Sequence, residues 1–492
     1  MSRRVVVVGH GMVGARFAEE VRRRDPKGAR VRVTVLGAEP RPAYNRVLLS
    51  TVLAGGLPAS AVELHPVGWA VRAGVDLRIG VTATAIDRER RVVHTDDAHC
   101  GGERYDDVVL ATGSRACLPP IDGIADPSVV TFRDLADCER IIALACPGAR
   151  FAVLGGGLLG CEAARGLVGR GMDVTLVHSK PHLMGHQLDP GAGEVLAATL
   201  RRLGVDVQLG RQAVGWEPGV GLRCRGSVES CDSLVPADAL VIAAGVRPEV
   251  GLAADAGIAV DRGVLVDDQL TTSDPRVHAI GDCAQHAGTT AGLVQPGWEQ
   301  AGVLADLVTG ADPGVRYRGT LPVTRLKACD VDLATVGDPR ALDGFGAEVL
   351  RFADPVGGRY ASLALLGDRV VAGAMIGLPD AAASMIQFYD TGMPAPADRL
   401  GLLFGRALPG VPETADPGHL LASTVVCRCN TVTKGALVAA WRGGATDAPA
   451  LSRATRAGTG CGSCCKTIRD ICAWLAQSEP PVLGLVREDK AV

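Results

Sequence analysis

The chain has no run of about 18 uninterrupted apolar residues, so no membrane-crossing helix is expected. It has no excess of positive charge. Its 51 Lys and Arg against 54 Asp and Glu give a net charge of −3, which excludes a global basic surface for nucleic acid. No cysteine precedes Cys100, and the total of fifteen is odd, which argues against a disulfide framework. The first fifteen residues read as a strand and a glycine turn, so no signal peptide is expected and the reading is cytoplasmic. The ten histidines are scattered, and no acid–base pair or nucleophile stands out, so no catalytic residue is assigned. With 47% hydrophobic and 21% charged residues over 492 positions, the composition is that of a globular protein with ample core and roughly three domains.

What is present begins at once. Arg4 to Val8 is a run of four valines that feeds into Gly9-His10-Gly11-Met12-Val13-Gly14, and a helical pattern follows from Ala15 to Arg24. A strand, G-x-G-x-x-G and a helix form the dinucleotide-binding fingerprint. Gly9 permits the tight turn, Gly11 lets a pyrophosphate approach the backbone, and Gly14 lets the helix pack against the strand. The helix N-terminus offers free N–H groups to phosphate. A second strand, Val31 to Leu36, is followed by Glu39, at about the spacing of a carboxylate that grips a ribose hydroxyl.

The pattern recurs. Asp106 to Leu110 is an apolar strand ending in Ala111-Thr112-Gly113-Ser114, which closes the first unit. Arg150 to Leu154 leads into Gly155-Gly156-Gly157-Leu158-Leu159-Gly160, with a helix from Cys161 to Gly169. The next strand ends in His178-Ser179-Lys180, with no carboxylate where Glu39 stood. Lys180, with His178, can accept a 2′-phosphate there, or both simply face water. Ala239 to Ala244, ending in Gly245-Val246-Arg247-Pro248, closes the second unit. The chain then returns to the first through Val277 to Ile280 and Gly281-Asp282-Cys283, which places the Asp282 carboxylate at a strand end, where it can accept from a sugar-alcohol hydroxyl. A helix from Gly297 to Thr309 follows. The fold class is α/β, with two Rossmann-like domains, the second inserted in the first.

Six cysteines crowd into the last 66 residues. Cys427-Arg428-Cys429 and Cys461-Gly462-Ser463-Cys464 bring four thiolates together, which suits zinc, an iron–sulfur cluster or coincidence. Cys465 and Cys472 read as structural.

Both fingerprints, A-T-G-S, A-A-G-V-R-P and the late G-D-C together resemble the flavoprotein reductases of the pyridine-nucleotide–disulfide oxidoreductase superfamily. Pro42 to Arg46, Gly157 to Glu162, His182 to Asp189, Leu326-Lys327 and Val336 to Asp338 more closely resemble the N-terminal half of the NAD(P)H nitrite reductase large subunit. Arg456 to Cys464 is similar to the [2Fe-2S] domain of bacterioferritin-associated ferredoxin. The resemblance implies FAD in the first unit and NAD(P)H in the second. It places Glu162 at the nicotinamide carboxamide and Arg133 against FAD. Arg46 lies by the flavin or its phosphates, unless its segment is a plain surface loop. Met12, Val13, Leu158, Leu159 and Trp298 join the cofactor-lining set. The implied ligands of a [2Fe-2S] cluster are Cys427, Cys429, Cys461 and Cys464. Residues 41–50 carry no cysteine, so a thiol relay beside the flavin is not expected.

The expected domains are FAD-binding (1–114 and 246–312), NAD(P)H-binding (115–245), a small α+β domain (313–398) and a small helical [2Fe-2S] domain (420–478), with Arg399 to Gly418 as linker. A nicotinamide gives up a hydride and a cluster takes single electrons, so the flavin stands between them. Only twenty residues follow Cys472, too few for the sirohaem domain of full nitrite reductase large subunits, so this chain is expected not to reduce nitrite alone. The resemblance points to an electron-transfer subunit serving a separate assimilatory nitrate or nitrite reductase. A general NAD(P)H:ferredoxin or rubredoxin reductase and a flavin/Fe–S redox sensor are the alternatives. A homodimer and the choice between NADH and NADPH stay open.

Overall fold

The computed structural model of the chain describes residues 2–97, 101–226, 232–344, 346–405, 417–427, 430, 432–459 and 464–479. Contacts divide it into two compact units, Met1–Ala407 and Leu408–Val492.

The valine run forms the strand Arg3–Val8, central in a five-stranded parallel sheet. Val5 to Val8 are buried on both faces, as a strand in an all-parallel sheet requires. The sheet runs Val277–Ala279, Asp107–Leu110, Arg3–Val8, Val31–Gly37, Val75–Ile79. Val8 lies level with both Leu36 and Leu110, so Gly9, Gly37 and Ala111 emerge along one edge. The second parallel sheet repeats this plan in the order Val205–Leu209, Asp173–His178, Arg150–Leu154, Ala239–Ile242, Val129–Thr131. Leu154 lies level with Val177 and Ile242. The chain crosses between the two sheets along an antiparallel pair, Ser114–Ala116 with Val246–Pro248. The last strand of the first sheet follows the whole second sheet in sequence, which is the insertion the motifs imply.

The stretch from Val323 to Ile376 folds as a five-stranded antiparallel sheet with Pro379–Thr391 as its helix. The fingerprint helices start earlier than periodicity suggests, at Met12 and Leu158, because their first turn is the glycine motif itself. The stretch expected as linker opens with regular structure, and the boundary between the two units falls within it. Arg399–Leu403 is a short helix, capped by Asp398 accepting from the Gly401 N–H at 3.2 Å and held by buried Leu402 and Leu403.

Among its described residues, the second unit has an antiparallel strand pair, Val425–Cys427 with Val432–Thr433, and the helices Lys434–Arg442, Ala448–Thr455 and Cys465–Ser478. Leu437, Trp441, Leu451, Ile468, Ile471 and Leu475 fill its core. No helix among the described residues is long and apolar enough to cross a membrane.

Candidate functional site

At the edge of the first sheet, Gly9 takes φ +112° and its N–H donates to Leu36 O at 2.8 Å. A Cβ on Gly9 would collide with Ala111 O, and one on Gly14 with Gly9 O. A Cβ on Gly11 would meet nothing within 4 Å. The outer glycines are therefore packing sites, and the middle one borders open space. The helix that starts there has no side-chain cap and no acid in its first turn, so its N–H groups face that space unpaired by side chains, a cradle that fits a phosphate. Met12 is buried. Val13 packs on Gly281 and Gly297, and Trp298 donates its indole N–H to Met12 O at 3.2 Å. Trp298 thus braces the loop from behind, with its one donor already committed.

Asp282 lies at the end of Val277–Ala279, as expected, and the sheet brings two partners to it. Ser114 Oγ donates to Asp282 Oδ2 at 2.8 Å, and Arg133 donates to the same oxygen at 2.9 Å and to Ser114 Oγ at 2.7 Å. Gly281 (φ +80°) donates its N–H to the Gln300 side chain at 2.7 Å. Gly113 (φ +72°) borders open space beside this cluster, and the Thr112 hydroxyl donates to Glu249 O at 2.7 Å. Glu39 is not alone at its strand end. Arg46 pairs with one of its oxygens and the Tyr44 hydroxyl donates to the other at 2.8 Å. Tyr44 in turn accepts from the Leu135 N–H at 3.1 Å, and burial pushes its hydroxyl pKa up. Arg46 also donates to Arg133 O at 3.4 Å, which links the Glu39 group to the Asp282 group.

The second sheet copies the first. Gly155 has φ +119°, and its added Cβ would strike Ala243 O. One on Gly160 would strike Gly155 O, and one on Gly157 would meet nothing. Gly245 likewise borders open space. Leu158 and Leu159 are half-buried in the uncapped first turn. His178 is spent on the loop itself, where its Nδ1 accepts from the Gly156 N–H at 3.1 Å. Burial, and then the nearby His182 and Lys180, hold its pKa below the usual histidine range. Its Nδ1 is thus committed to the loop, and burial favours the neutral ring. Lys180 is exposed. Glu162 is buried, with Oε1 accepting from the Lys327 N–H at 2.9 Å, and burial pushes its carboxyl pKa up.

In the second unit, Cys427 and Cys464 are buried in one core. A hydrogen bond with the Cys464 side chain, against desolvation and helped by N–H groups of Gly458 and Asn430, brings the Cys427 pKa down to about 6. That thiolate chemistry fits a metal cluster. Cys429 and Cys461 lie outside the described residues, and among the described ones no three His, Cys, Asp or Glu gather to hold a metal. Cys465 bonds Gly458 O at 3.7 Å, and burial raises the Cys472 thiol. Sequence reasoning did not single out Ser114, Tyr44 or Asn430 as site residues. Ser114 and Tyr44 lie inside recognised motifs and Asn430 directly follows one, which is the signal that could have found them.

Residues 3–302 match the family model for pyridine nucleotide-disulphide oxidoreductases, and residues 425–474 match the BFD-like [2Fe-2S] binding domain. The chain is 32% identical to a nitrite reductase [NAD(P)H] of Bacillus subtilis (strain 168), over 95% of this chain and 57% of that one. It is 33% identical to an assimilatory nitrate reductase electron transfer subunit of the same organism, over 97% and 60%. It therefore spans less than two thirds of the length of these relatives. Among solved structures, a chain of the covalent putidaredoxin reductase–putidaredoxin complex superposes with a TM-score of 0.72 at 25% identity, covering 83% of this chain and 97% of that one.

Proposed function

The chain belongs to the pyridine nucleotide-disulphide oxidoreductase family, and from that premise we propose that it passes electrons from NAD(P)H to a separate terminal enzyme. It is an FAD-dependent NAD(P)H oxidoreductase, and FAD, NAD(P)H and a [2Fe-2S] cluster are its cofactors. A flavin takes up a hydride and releases electrons singly, as a cluster requires. In this reading, residues 1–114 and 246–312 hold FAD: Gly9, Gly11 and Gly14 seat its pyrophosphate, Glu39 its ribose, and Asp282 with Arg133 its ribityl chain. Residues 115–245 hold NAD(P)H on Gly155, Gly157 and Gly160, with Glu162 at the carboxamide. Lys180, with no acid beside it, leaves room for a 2′-phosphate. Residues 313–398 form the small α+β domain, and 420–478 hold the cluster on Cys427, Cys429, Cys461 and Cys464.

The observation that carries this reading is the repeated geometry. Each middle glycine borders open space at an uncapped helix start, while its neighbours admit no side chain. The relatives' names favour an assimilatory nitrate or nitrite reductase as the acceptor. The likeness to the putidaredoxin reductase complex supports a second reading, a reductase of small iron–sulfur carriers. An anaerobic NADH titration followed by visible absorption and low-temperature EPR tests the relay. Flavin bleaching followed by a rhombic S = 1/2 signal is expected. A flavin that NADH and NADPH both leave oxidised overturns the reductase reading.

A further inference from the structure

The cysteine hairpin and the loop that leads to the second cysteine pair are joined by one side chain. Asn430, three residues after Cys427, points its amide nitrogen at Cys427 Sγ (3.7 Å), Arg456 O (2.7 Å) and Thr459 Oγ1 (3.2 Å). A carboxamide offers two N–H donors, so one hydrogen faces the sulfur only if the other is anchored. The anchor is built. Thr459 gives its own hydroxyl proton to Arg456 O at 2.8 Å and its backbone N–H to the same oxygen at 3.2 Å, which fixes that carbonyl, and the Thr459 hydroxyl oxygen itself accepts from Asn430. Arg456 holds the left-handed conformation, φ +66°, that turns the chain out of the helix Ala448–Thr455. A residue that rarely tolerates that backbone thus sits where its carbonyl receives Asn430.

An N–H aimed at a cysteinyl sulfur stabilises the extra negative charge of a reduced cluster more than the oxidised state, and so raises its potential. We propose that Asn430 is a positioning residue of the [2Fe-2S] site, setting the cluster's reduction potential through Cys427 and locking the two cysteine loops together through Arg456 and Thr459. This rests on the cluster reading above. The role is to make the cluster a readier acceptor of electrons from the flavin without contributing a ligand.

Asn45 and Asn430 are the only asparagines in the chain, and Asn45 belongs to the other unit. Full-length protein grown on asparagine carrying ¹⁵N only in the side-chain amide therefore holds a single label in the cysteine unit. Pulsed EPR of the reduced wild type should show a ¹⁵N hyperfine coupling. Its absence beside an intact cluster signal overturns the proposal, and absence of any cluster signal overturns the cluster reading itself. In EPR-monitored redox titration, N430A should have a more negative midpoint than wild type. T459V, which removes an anchor of the Asn430 amide, should shift less. An unchanged N430A midpoint, or equal shifts in both variants, overturns the proposal. If N430A fails to assemble a cluster, the ¹⁵N measurement on the wild type decides.

Discussion

Two glycines of one motif should fail in opposite ways when given a methyl group. The Cβ of G14A would run into the Gly9 carbonyl, backbone against backbone, so the helix or the turn must move. That overpacking should cost at least about 2 kcal/mol, read as a lowered unfolding midpoint in the flavin-free protein. G11A meets no protein atom, and its φ of −85° suits alanine, so the flavin-free protein should lose no more than about 1 kcal/mol. Its defect should appear as FAD lost on gel filtration. If G11A retained FAD as the wild type does, the pyrophosphate seat would lie elsewhere. Glu162 gives a pH-dependent contrast. Its folded-state pKa is raised above the unfolded value, so the folded state favours the protonated carboxyl. No penalty exists below the ordinary carboxyl range, and one grows as pH climbs above it. E162Q keeps an acceptor for the Lys327 N–H and removes the charge. The variant should melt with the wild type near pH 4 and several degrees above it near pH 7. The same variant should raise the KM for NADH if the carboxylate meets the carboxamide. A melting difference independent of pH would show that burial of the charge is not its cause.

At the scale of elements, the helix Pro190–Arg202 is fastened to the antiparallel sheet by its own cap. Asp189 accepts from the Ala192 N–H at 3.0 Å, from the Tyr360 hydroxyl at 2.8 Å and from Ser362 Oγ at 3.0 Å, with all three side chains buried. D189A loses the cap and strands two buried hydroxyls, a cost of about 3 kcal/mol. Hydrogen exchange should quicken in 190–202 and in 359–366 together. Exchange confined to the helix would mean that the tie to the sheet carries no weight. Such ties explain what the sequence could and could not disclose. The glycine loops were legible because only glycine survives a backbone collision, and the strands because burial on both faces demands an unbroken apolar run. The Asp189 tie spans 171 residues to Tyr360 and leaves no local pattern. The tie that His178 makes to its loop is hidden for the same reason. That its ring accepts from Gly156 depends on a loop closing 22 residues away. The helix at Arg399–Leu403 was hidden by the glycines and prolines around it, which mark a boundary without showing where it falls.

Over the whole molecule, the chemistry divides as the cores do. The first unit fills its sheets with its own residues: the valine strands pack against the helix Met12–Arg24 and Leu304, while Phe151, Val153 and Leu176 anchor the second sheet. The second unit closes a separate core around Trp441, Leu451, Ile468, Cys427 and Cys464. A unit with its own core folds alone. A chain ending at Ala407 should therefore keep every residue assigned to FAD and NAD(P)H, among them both glycine cradles, Glu39, Arg133, Asp282, Glu162 and Lys180. It should retain flavin and reduce ferricyanide with NADH within about twofold of the full chain, because a small acceptor can meet the flavin directly. Reduction of a protein acceptor should fall at least about tenfold, because the two-electron to one-electron handover then lacks its outlet. Stopped-flow absorbance separates the two steps: flavin reduction by NADH unchanged, flavin reoxidation by the acceptor slowed. Slowed reduction instead would place part of the nicotinamide site in the second unit. Unchanged reoxidation would make the cysteine unit dispensable to the relay.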